Sequence, residues 1–368
     1  MKTIVLTCNT GQGHNSVSQA IKEAYELSGN HCDVVDSLAF ISDTASDIIG
    51  SWHSRIYRYF PNVFTAGYRL CETHPEFFEE GSVIRNFLVS GADRLYAYLI
   101  EGGYDSIICP HVFSALMVTQ LRIKYPDFKL KTGFIATDYT FTPITSELNC
   151  DYFFIPDRSV IDAYVMGGIP KERLRVITGI PVRRSFYSRT PKEEAKKQLG
   201  IDFSRRHIVM MFGSMGCGPM PKLIAELDRL LPENVDLTVV CGTNEKLKKL
   251  LEKSYTGGRV RIEGYVKDIS LLMDSCDIYL TKPGGLSTSE ARIKHIPMVL
   301  MNTVGGCEQG NLEFFIDKGA AVTADGEESV ANLCASLIND EQRLEEMSSV
   351  FDDDGISSDE IIAFMRGD

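Results

Sequence analysis

No stretch of this sequence is apolar for long enough to cross a membrane as a helix. Such a helix needs about 20 consecutive apolar residues, and no run here approaches that length. The ten cysteines include no C-x-x-C pair, which argues against a clustered cysteine metal site. Cysteines scattered through apolar segments behave as small buried hydrophobes in a reducing compartment, so we expect a cytoplasmic protein.

Positive charge is also in short supply. The chain carries 38 Lys and Arg residues against 50 Asp and Glu residues, a formal net charge of −12. The excess is greatest from residue 340 onward, where ten acidic residues accompany two arginines. Binding to a nucleic acid needs a basic surface, so this balance argues against nucleic acid as the main partner. It still allows a nucleotide, which a few backbone amides can hold.

Length and composition indicate a globular protein with two domains. At about 150 residues a domain, 368 residues correspond to two, and 44% apolar content is ordinary for a soluble protein. Short apolar runs alternate with helical patterns, and the alternation restarts after Pro181. Such runs fit parallel strands buried on both faces. The predicted strands are 3–8, 32–37, 106–109, 132–137, 152–156, 175–178, 207–212, 236–241, 259–263, 277–281, 298–301 and 320–323.

We therefore predict two Rossmann-like α/β domains with parallel sheets that face a central cleft. The first spans residues 1–185 and the second 186–340, followed by an acidic tail, 341–368. In the tail, Ser357 to Glu360 resemble a capping box that opens a short terminal helix. Ligands of such sheets bind at the carboxyl ends of the strands. The other predicted helices are 16–27, 113–124, 159–166, 221–231, 245–253, 270–274, 287–294 and 308–318.

Residues 52–98 interrupt this alternation. They contain 11 aromatic residues, the only Trp of the chain, five arginines and no lysine. One interpretation is a helical insertion that packs on its own core. The other is a surface that meets a membrane, because aromatic rings and arginines suit the headgroup boundary. Four glutamates in the segment dilute its basic character, and both interpretations stay open.

The first candidate site is a glycine-rich segment after the first predicted strand. It reads Gly11-Gln12-Gly13-His14-Asn15-Ser16 and leads into a helix. Glycines let a backbone approach a ligand closely, and a helix start offers unpaired N–H groups. The third glycine of a dinucleotide fingerprint and the lysine of a P-loop are both missing. His14 lies where a catalytic group belongs, although a histidine in a loop is often only a surface residue.

Two segments of the second half repeat this arrangement. Gly213 and Ser214 follow a strand, and the alternatives there are a phosphate-facing loop and a plain tight turn. Lys282-Pro283-Gly284-Gly285 leads into a helix rich in hydroxyls, whose start is suited to a diphosphate. Glu290, about one turn later, is suited to a ribose diol; the alternative is an ordinary surface Glu. The residues singled out in the second segment are Gly284, Gly285, Ser287, Thr288 and Glu290.

Further polar residues follow other predicted strands. Glu308 and Asn311 lie one strand–loop–helix unit later and could bind sugar hydroxyls. Asp138 follows the strand at 132–137 and is either a functional carboxylate or a cap of the next turn. Because carboxyl ends of parallel strands share one edge of a sheet, these side chains belong near the ligand edge.

Taken together, these motifs resemble the family of processive diacylglycerol glycosyltransferases and monogalactosyldiacylglycerol synthases. The family is related to the peptidoglycan N-acetylglucosaminyltransferase. The resemblance runs from residue 11 to about 320, and several motifs in the right order are more specific than any one of them. They are 11–20, 133–139, 155–156, 179–182, 264–266, 276–287 and 306–311.

The resemblance implies the GT-B architecture, with a lipid acceptor on the first domain and a UDP-sugar on the second. His14 matches the general base of an inverting transfer, and Asp138 matches an acidic position of the acceptor domain. Gly11, Gly13 and Asn15 match the acceptor loop. No Asp-x-Asp motif occurs at a matching position, so we expect no cofactor and no essential metal. The UDP-sugar residues would be Gly213, Ser214, Gly264, Tyr265, Val266, Gly284, Gly285, Ser287, Thr288, Glu290, Glu308 and Asn311.

Two departures from the family pattern limit what the resemblance implies. Cys307 stands where the family commonly has a Gln that reads the sugar, which leaves glucose, galactose and N-acetylglucosamine open. Residues 139–145 lack the His or Trp often found there, which leaves the acceptor open. Two other functions stay open: a UDP-sugar epimerase of the same fold, which needs no lipid, and a non-catalytic UDP-sugar sensor.

Overall fold

Two six-stranded parallel sheets organise the chain. The computed structural model describes residues 1–9, 11–42, 44, 70, 74–216, 218–301, 306–351 and 355–367. The described residues of 1–184 and of 355–367 form one unit, and those of 185–301 and 308–351 form the other. The predicted α/β class with two Rossmann-like parallel sheets is confirmed.

The first sheet has the strand order β2-β1-β3-β4-β5-β6, and every pair in it is parallel. Its strands are β1 (Lys2–Thr7), β2 (His31–Asp36), β3 (Ser106–Cys109), β4 (Lys131–Ile135), β5 (Tyr152–Ile155) and β6 (Leu174–Val176). Its helices include α1 (Gln12–Leu27), α2 (Val83–Val89), α3 (Ala92–Gly102), α4 (Val112–Lys124) and α5 (Ile161–Met166). Short 3₁₀ helices lie at Ser37–Phe40, Pro75–Phe77, Pro143–Glu147, Arg158–Val160 and Lys171–Arg173. Fully buried strand residues such as Ile4, Val5 and Leu6 show that β1 is covered on both faces.

The second sheet has the order β12-β11-β10-β7-β8-β9 and is also parallel throughout. Its strands are β7 (Arg206–Met211), β8 (Val235–Val240), β9 (Val260–Glu263), β10 (Ile278–Thr281), β11 (Met298–Leu300) and β12 (Ala321–Thr323). Its helices include α6 (Lys192–Gln198), α7 (Met220–Leu230), α8 (Glu245–Ser254), α9 (Ile269–Asp274), α10 (Gly285–Lys294), α11 (Cys307–Asp317), α12 (Glu327–Leu337) and α13 (Glu341–Ser348). Strands β7 and β10 are neighbours, so the loops that follow them lie side by side.

Two helices begin at least two residues earlier than the sequence predicted. Helix α1 starts at Gln12 instead of residue 16, and α10 starts at Gly285 instead of residue 287. Both are preceded by a glycine in the N-cap position, Gly11 and Gly284, with no side-chain cap. The prediction followed the serines, which are the usual caps. The consequence is that Gly13 and His14 lie in the first turn of α1, and that Gly285 is the first residue of α10.

The predicted tail is divided between the two units. Helix α13 belongs to the second unit, whereas α14 (Ser357–Arg366) belongs to the first. The predicted capping box is wrong, because the N-cap of α14 is Ile356 and carries no side-chain cap. Glu360 instead accepts hydrogen bonds from the backbone N–H and the hydroxyl of Thr178, both at 2.7 Å. A contact with a residue 182 positions away cannot be recognised from a local pattern.

Much of the aromatic segment 52–98 lies outside the described residues. The described part packs on the first unit, with Leu88 and Leu95 buried in its core. Arg85 is buried as well, donates to the carbonyl of Phe78 at 3.0 Å, and forms an ion pair with Glu147 at 2.8 Å. This agrees with a packed helical insertion for α2 and α3, while the membrane interpretation stays a prediction. Among the described helices, none has the length and apolar character needed to span a bilayer.

The buried His207 makes the second unit sensitive to acid. Burial lowers the pKa of its imidazole to about 4, and its ring nitrogens meet Ser275 Oγ at 3.0 Å and Thr238 Oγ1 at 2.8 Å. The unfolded chain binds this proton from about pH 6.5, so the free energy of unfolding falls between pH 6.5 and pH 4. At about 1.4 kcal/mol per pKa unit, the loss is about 3 kcal/mol.

We expect the free energy of unfolding, measured by hydrogen exchange of the β7 and β8 amides, to fall between pH 6.5 and pH 4. His207→Gln serves as the control, because it cannot titrate and should give a flatter profile over the same pH range. An equal slope in both proteins would contradict the assignment to His207.

Candidate functional site

His14 lies in the first turn of α1, at the carboxyl edge of the first sheet. Its Nδ1 lies 2.9 Å from the carbonyl oxygen of Pro110, the residue that follows β3. Because a carbonyl only accepts hydrogen bonds, Nδ1 must carry the hydrogen, which places the lone pair of the neutral ring on Nε2. This is the tautomer that a general base at Nε2 requires.

The residues beside His14 have separate structural roles. Asn15 Oδ1 accepts a hydrogen bond of 2.8 Å from Thr7 Oγ1 at the end of β1. Gly11 has extended backbone (φ 172°) that any residue can adopt, and a Cβ there would meet no atom within 4 Å. Gly13 lies inside the first helical turn. The open space beside Gly11 is compatible with the close approach of a ligand that the sequence predicted for this segment.

Asp138 follows β4, whereas His14 follows β1, and β3 lies between these two strands in the sheet. Neighbouring strands are about 4.8 Å apart, so these two strands lie about 10 Å apart in the sheet. Asp138 is partly exposed, and its negative charge adds to burial in raising the pKa of Tyr164 on α5. The structure thus places Asp138 at the predicted edge, electrostatically close to Tyr164.

Two glycine turns form the centre of the carboxyl edge of the second sheet. Gly213, after β7, has φ +69°, and Gly242, after β8, has φ +57°. The two turns are joined by the backbone hydrogen bond from Thr243 N–H to the carbonyl of Ser214, at 2.9 Å. Asn244 Nδ2 adds a bond of 3.0 Å to the carbonyl of Gly216. The tight turn predicted as one alternative is present, and Ser214 is part of it.

The start of α10 is the next element of this edge. Thr288 is fully buried, and its hydroxyl donates to the carbonyls of Gly284 and Gly285 at 3.0 and 3.1 Å. The hydroxyl of Thr288 therefore donates within the helix, and the phosphate contact expected at this helix start stays a prediction. Ser287 is partly exposed at the same helix start. Backbone N–H groups of the first turn supply the remaining donors.

Glu290 is buried rather than an ordinary surface residue. Only 7% of it is exposed, and its charge adds to burial in raising the pKa of Tyr279 on β10. A carboxylate at this position can accept hydrogen bonds from hydroxyl groups, which is compatible with the ribose contact that the sequence predicted.

Lys282 connects the two glycine segments of this edge. A Cβ at Gly213 would lie 3.2 Å from Lys282 Cε, and one at Gly284 would lie 3.5 Å from Lys282 Nζ. Its ammonium forms an ion pair with Glu308, and both side chains are largely buried. Asn311 is fully buried and donates to the carbonyl of Pro283 at 3.0 Å. A cation, a carboxylate and an amide thus converge after β10.

The last predicted segment follows β9, which is the outermost strand on one side of the second sheet. Gly264 is buried, and a Cβ there would meet the side chain of Lys248 at 3.3 Å. Tyr265 is 71% exposed, and Val266 is partly exposed. This segment is separated from β10 by β7 and β8, so it lies at one end of the row of loops.

Sequence reasoning missed two side chains of these edges, Lys282 and His111. Lys282 was quoted only as part of a turn, although its position directly after a predicted strand was visible in the sequence. The ring of His111, next to Pro110, lies 4.4 Å from the ring of His14 at 78°. Within the described ranges, no cluster of three or more His, Cys, Asp or Glu residues could hold a metal ion. The expected absence of a metal stays a prediction.

Known proteins share both sequence and activity class with this chain. Residues 14–182 match the family model described as monogalactosyldiacylglycerol (MGDG) synthase. A processive diacylglycerol beta-glucosyltransferase from Bacillus pumilus is 28% identical over 363 residues, covering 94% of this chain and 89% of the relative. The chain is a glycosyltransferase that is similar to these proteins. The resemblance inferred from the motifs is thus confirmed, and it extends over nearly the whole chain.

Solved structures agree on the architecture. The Acinetobacter baumannii MurG structure matches with a TM-score of 0.66 at 12% identity, covering all of both chains. A putative UDP-N-acetylglucosamine 2-epimerase from Listeria monocytogenes matches with a TM-score of 0.63 at 13% identity, covering 100% of this chain and 96% of that one. At these identities the likeness shows the fold alone, and the predicted GT-B architecture is confirmed.

Gly242→Ala should destabilise the joined glycine turns of the second unit. The added Cβ would overlap the carbonyl oxygen of Ser214, and the left-handed φ adds a cost of about 1–2 kcal/mol. Gly257→Ala is the matched control, because it also has a positive φ but no atom within 4 Å of the added Cβ. We expect a clearly larger fall in thermal midpoint for Gly242→Ala, together with weaker UDP binding. Equal midpoints would contradict this description of the turn.

Proposed function

We propose that this glycosyltransferase moves a hexose from a UDP-sugar to diacylglycerol or a related membrane lipid, with inversion at the anomeric carbon. The observation that carries the proposal is the tautomer of His14. Its Nδ1–H donates to the Pro110 carbonyl, which leaves the lone pair on Nε2. The names of the curated relatives support the lipid acceptor and make glucose the first sugar to test.

In the proposed reaction, the acceptor hydroxyl gives its proton to Nε2 of His14 as its oxygen attacks the anomeric carbon. The carbon–oxygen bond to UDP breaks in the same step, so one displacement inverts the configuration. Proton removal by a positioned base is worth about 10²–10⁴-fold in rate. As His14 becomes an imidazolium, its Nδ1–H stays bonded to the Pro110 carbonyl, which stabilises the charge. Asp138 would act on the acceptor side.

The second unit would bind the donor along the carboxyl edge of its sheet. The start of α10, with Gly284, Gly285 and Ser287, would receive the diphosphate, and Lys282 would add a positive charge. Glu290 would bind the ribose, and Glu308 with Asn311 would bind the sugar. Gly264, Tyr265 and Val266 would lie along the uracil. With a cation and a helix start in place, the proposal needs no metal and no other cofactor.

The proposed partners are a UDP-sugar, a diacylglycerol-type lipid and a membrane surface, without nucleic acid. The protein would work in the cytoplasm, as a peripheral protein on the inner membrane face. On α2, Val83 and Phe87 are exposed apolar residues in the described part of the aromatic segment, which supports a lipid contact there.

UDP release from UDP-glucose, UDP-galactose and UDP-N-acetylglucosamine, with and without diacylglycerol in mixed micelles, tests the proposal. We expect release that depends on lipid, with one sugar preferred, and no change when EDTA is added. Conversion of one UDP-sugar into another without lipid would indicate the epimerase. Tight UDP-sugar binding without any product would indicate the sensor.

His14→Ala should lower turnover by at least about 10²-fold, because the reaction loses its proton acceptor. UDP binding, measured by calorimetry, should stay unchanged, since the donor residues belong to the other unit. His31→Ala is the control, because this exposed histidine lies at the start of β2, where its Nε2 meets the carboxylate of Asp33 at 2.9 Å. Retained turnover in His14→Ala would rule out the assigned base.

A further inference from the structure

His111 is held by the helix that follows it. It is the N-cap of α4, with extended backbone, and its Nδ1 accepts a hydrogen bond of 3.1 Å from the backbone N–H of Phe113. A backbone N–H only donates, so Nδ1 of His111 carries the lone pair and this ring is uncharged in the observed geometry. His111 is 9% exposed, so the ring is nearly enclosed by protein.

The ring of His111 is fixed on its far side as well. It meets the ring of Phe113 edge-on, with centroids 4.8 Å apart, and Phe113 stacks with Phe78 at 6.3 Å. Leu88 and other core residues surround this aromatic row. The imidazole ring of His111 is therefore held in one orientation by its hydrogen bond and by the ring of Phe113.

The two residues between β3 and α4 together hold His14. The carbonyl of Pro110 fixes which nitrogen of His14 carries the hydrogen, and the ring of His111 meets the His14 ring at 78° with centroids 4.4 Å apart. A hydrogen bond alone lets an imidazole rotate about the bond direction. A ring packed edge-on removes that freedom, which fixes the direction of the Nε2 lone pair.

We propose that His111 is a positioning residue for His14, holding the imidazole plane in the orientation that the transfer reaction uses. The proposal rests on the proposed function, in which Nε2 of His14 accepts the proton. The uncharged state of His111 is part of it, because a second positive charge at 4.4 Å would oppose formation of the imidazolium on His14.

Two substitutions separate the ring of His111 from its role as a helix cap. His111→Asn keeps a side-chain acceptor for the Phe113 N–H but removes the ring. His111→Phe keeps an aromatic ring but removes the acceptor. If the ring positions His14, His111→Asn should lower kcat by about 10-fold, with an unchanged KM for UDP-glucose and a thermal midpoint near that of the wild type. His111→Phe should have a lower midpoint, yet turn over at least about fivefold faster than His111→Asn.

Loss of a helix cap elsewhere provides the control for stability. Asp340→Ala removes the cap of α13, where Asp340 Oδ1 accepts from the N–H of Arg343 at 3.0 Å. Its midpoint should fall as in His111→Phe, while kcat stays at the wild-type value. In ¹⁵N-histidine spectra, His14 should show the Nδ1–H form in both the wild type and His111→Asn, because the Pro110 carbonyl that selects this tautomer is kept.

Wild-type kcat in His111→Asn, or a folded His111→Phe that is no faster than His111→Asn, would overturn the proposal. His14→Ala distinguishes this failure from failure of the proposed function. If His14→Ala is inactive while His111→Asn is fully active, only the positioning role falls. If His14→Ala keeps its turnover, the base assignment falls, and the positioning role falls with it.

Discussion

Parallel pairing of every described strand is the constraint on which both units depend. In a parallel sheet each strand must be followed by a return connection, so all the segments after the strands lie at one edge. That is why His14, Pro110 and Asp138 lie along one edge of the first sheet although 96 residues separate His14 from Pro110. In the second sheet it aligns the segments after β7, β8, β9 and β10 in a row. The chemistry of each unit then depends on which polar residues end its strands.

The buried pair of Lys282 and Glu308 shows how this edge carries charge. Removing two charges from water costs several kcal/mol for each ion, and their attraction offsets that cost only in part. Such a pair is weak evidence for stability, so a function at this edge accounts for it better. It keeps a cation between Gly213 and Gly284, where the proposed diphosphate would bind, and a carboxylate beside the proposed sugar. In the first unit, the Pro110 carbonyl holds His14 in place by accepting the hydrogen of its Nδ1.

The sheets could be predicted from the sequence because their central strands are short apolar runs covered on both faces. Helix starts were harder, since glycines at positions 11 and 284 replace the side-chain caps that mark a start. Glu290 could be singled out by its place after the motif, but neither its burial nor the bond of the Thr288 hydroxyl to the preceding turn could be predicted. His111 and the Glu360–Thr178 contact depend on residues far apart in the chain, and a local pattern cannot show them.

The anomeric configuration of the product shows directly whether the sugar is transferred by a single displacement. The sugar of UDP-glucose is α-linked, and a single displacement with His14 as base must give a β-linked glycolipid. Purified protein, UDP-glucose and diacylglycerol would be incubated together, and the anomeric proton of the isolated lipid would be read by NMR. We expect a β-glycolipid from the wild type and at least about 10²-fold less of it from His14→Ala. An α-linked product, or the same yield from His14→Ala, would contradict it.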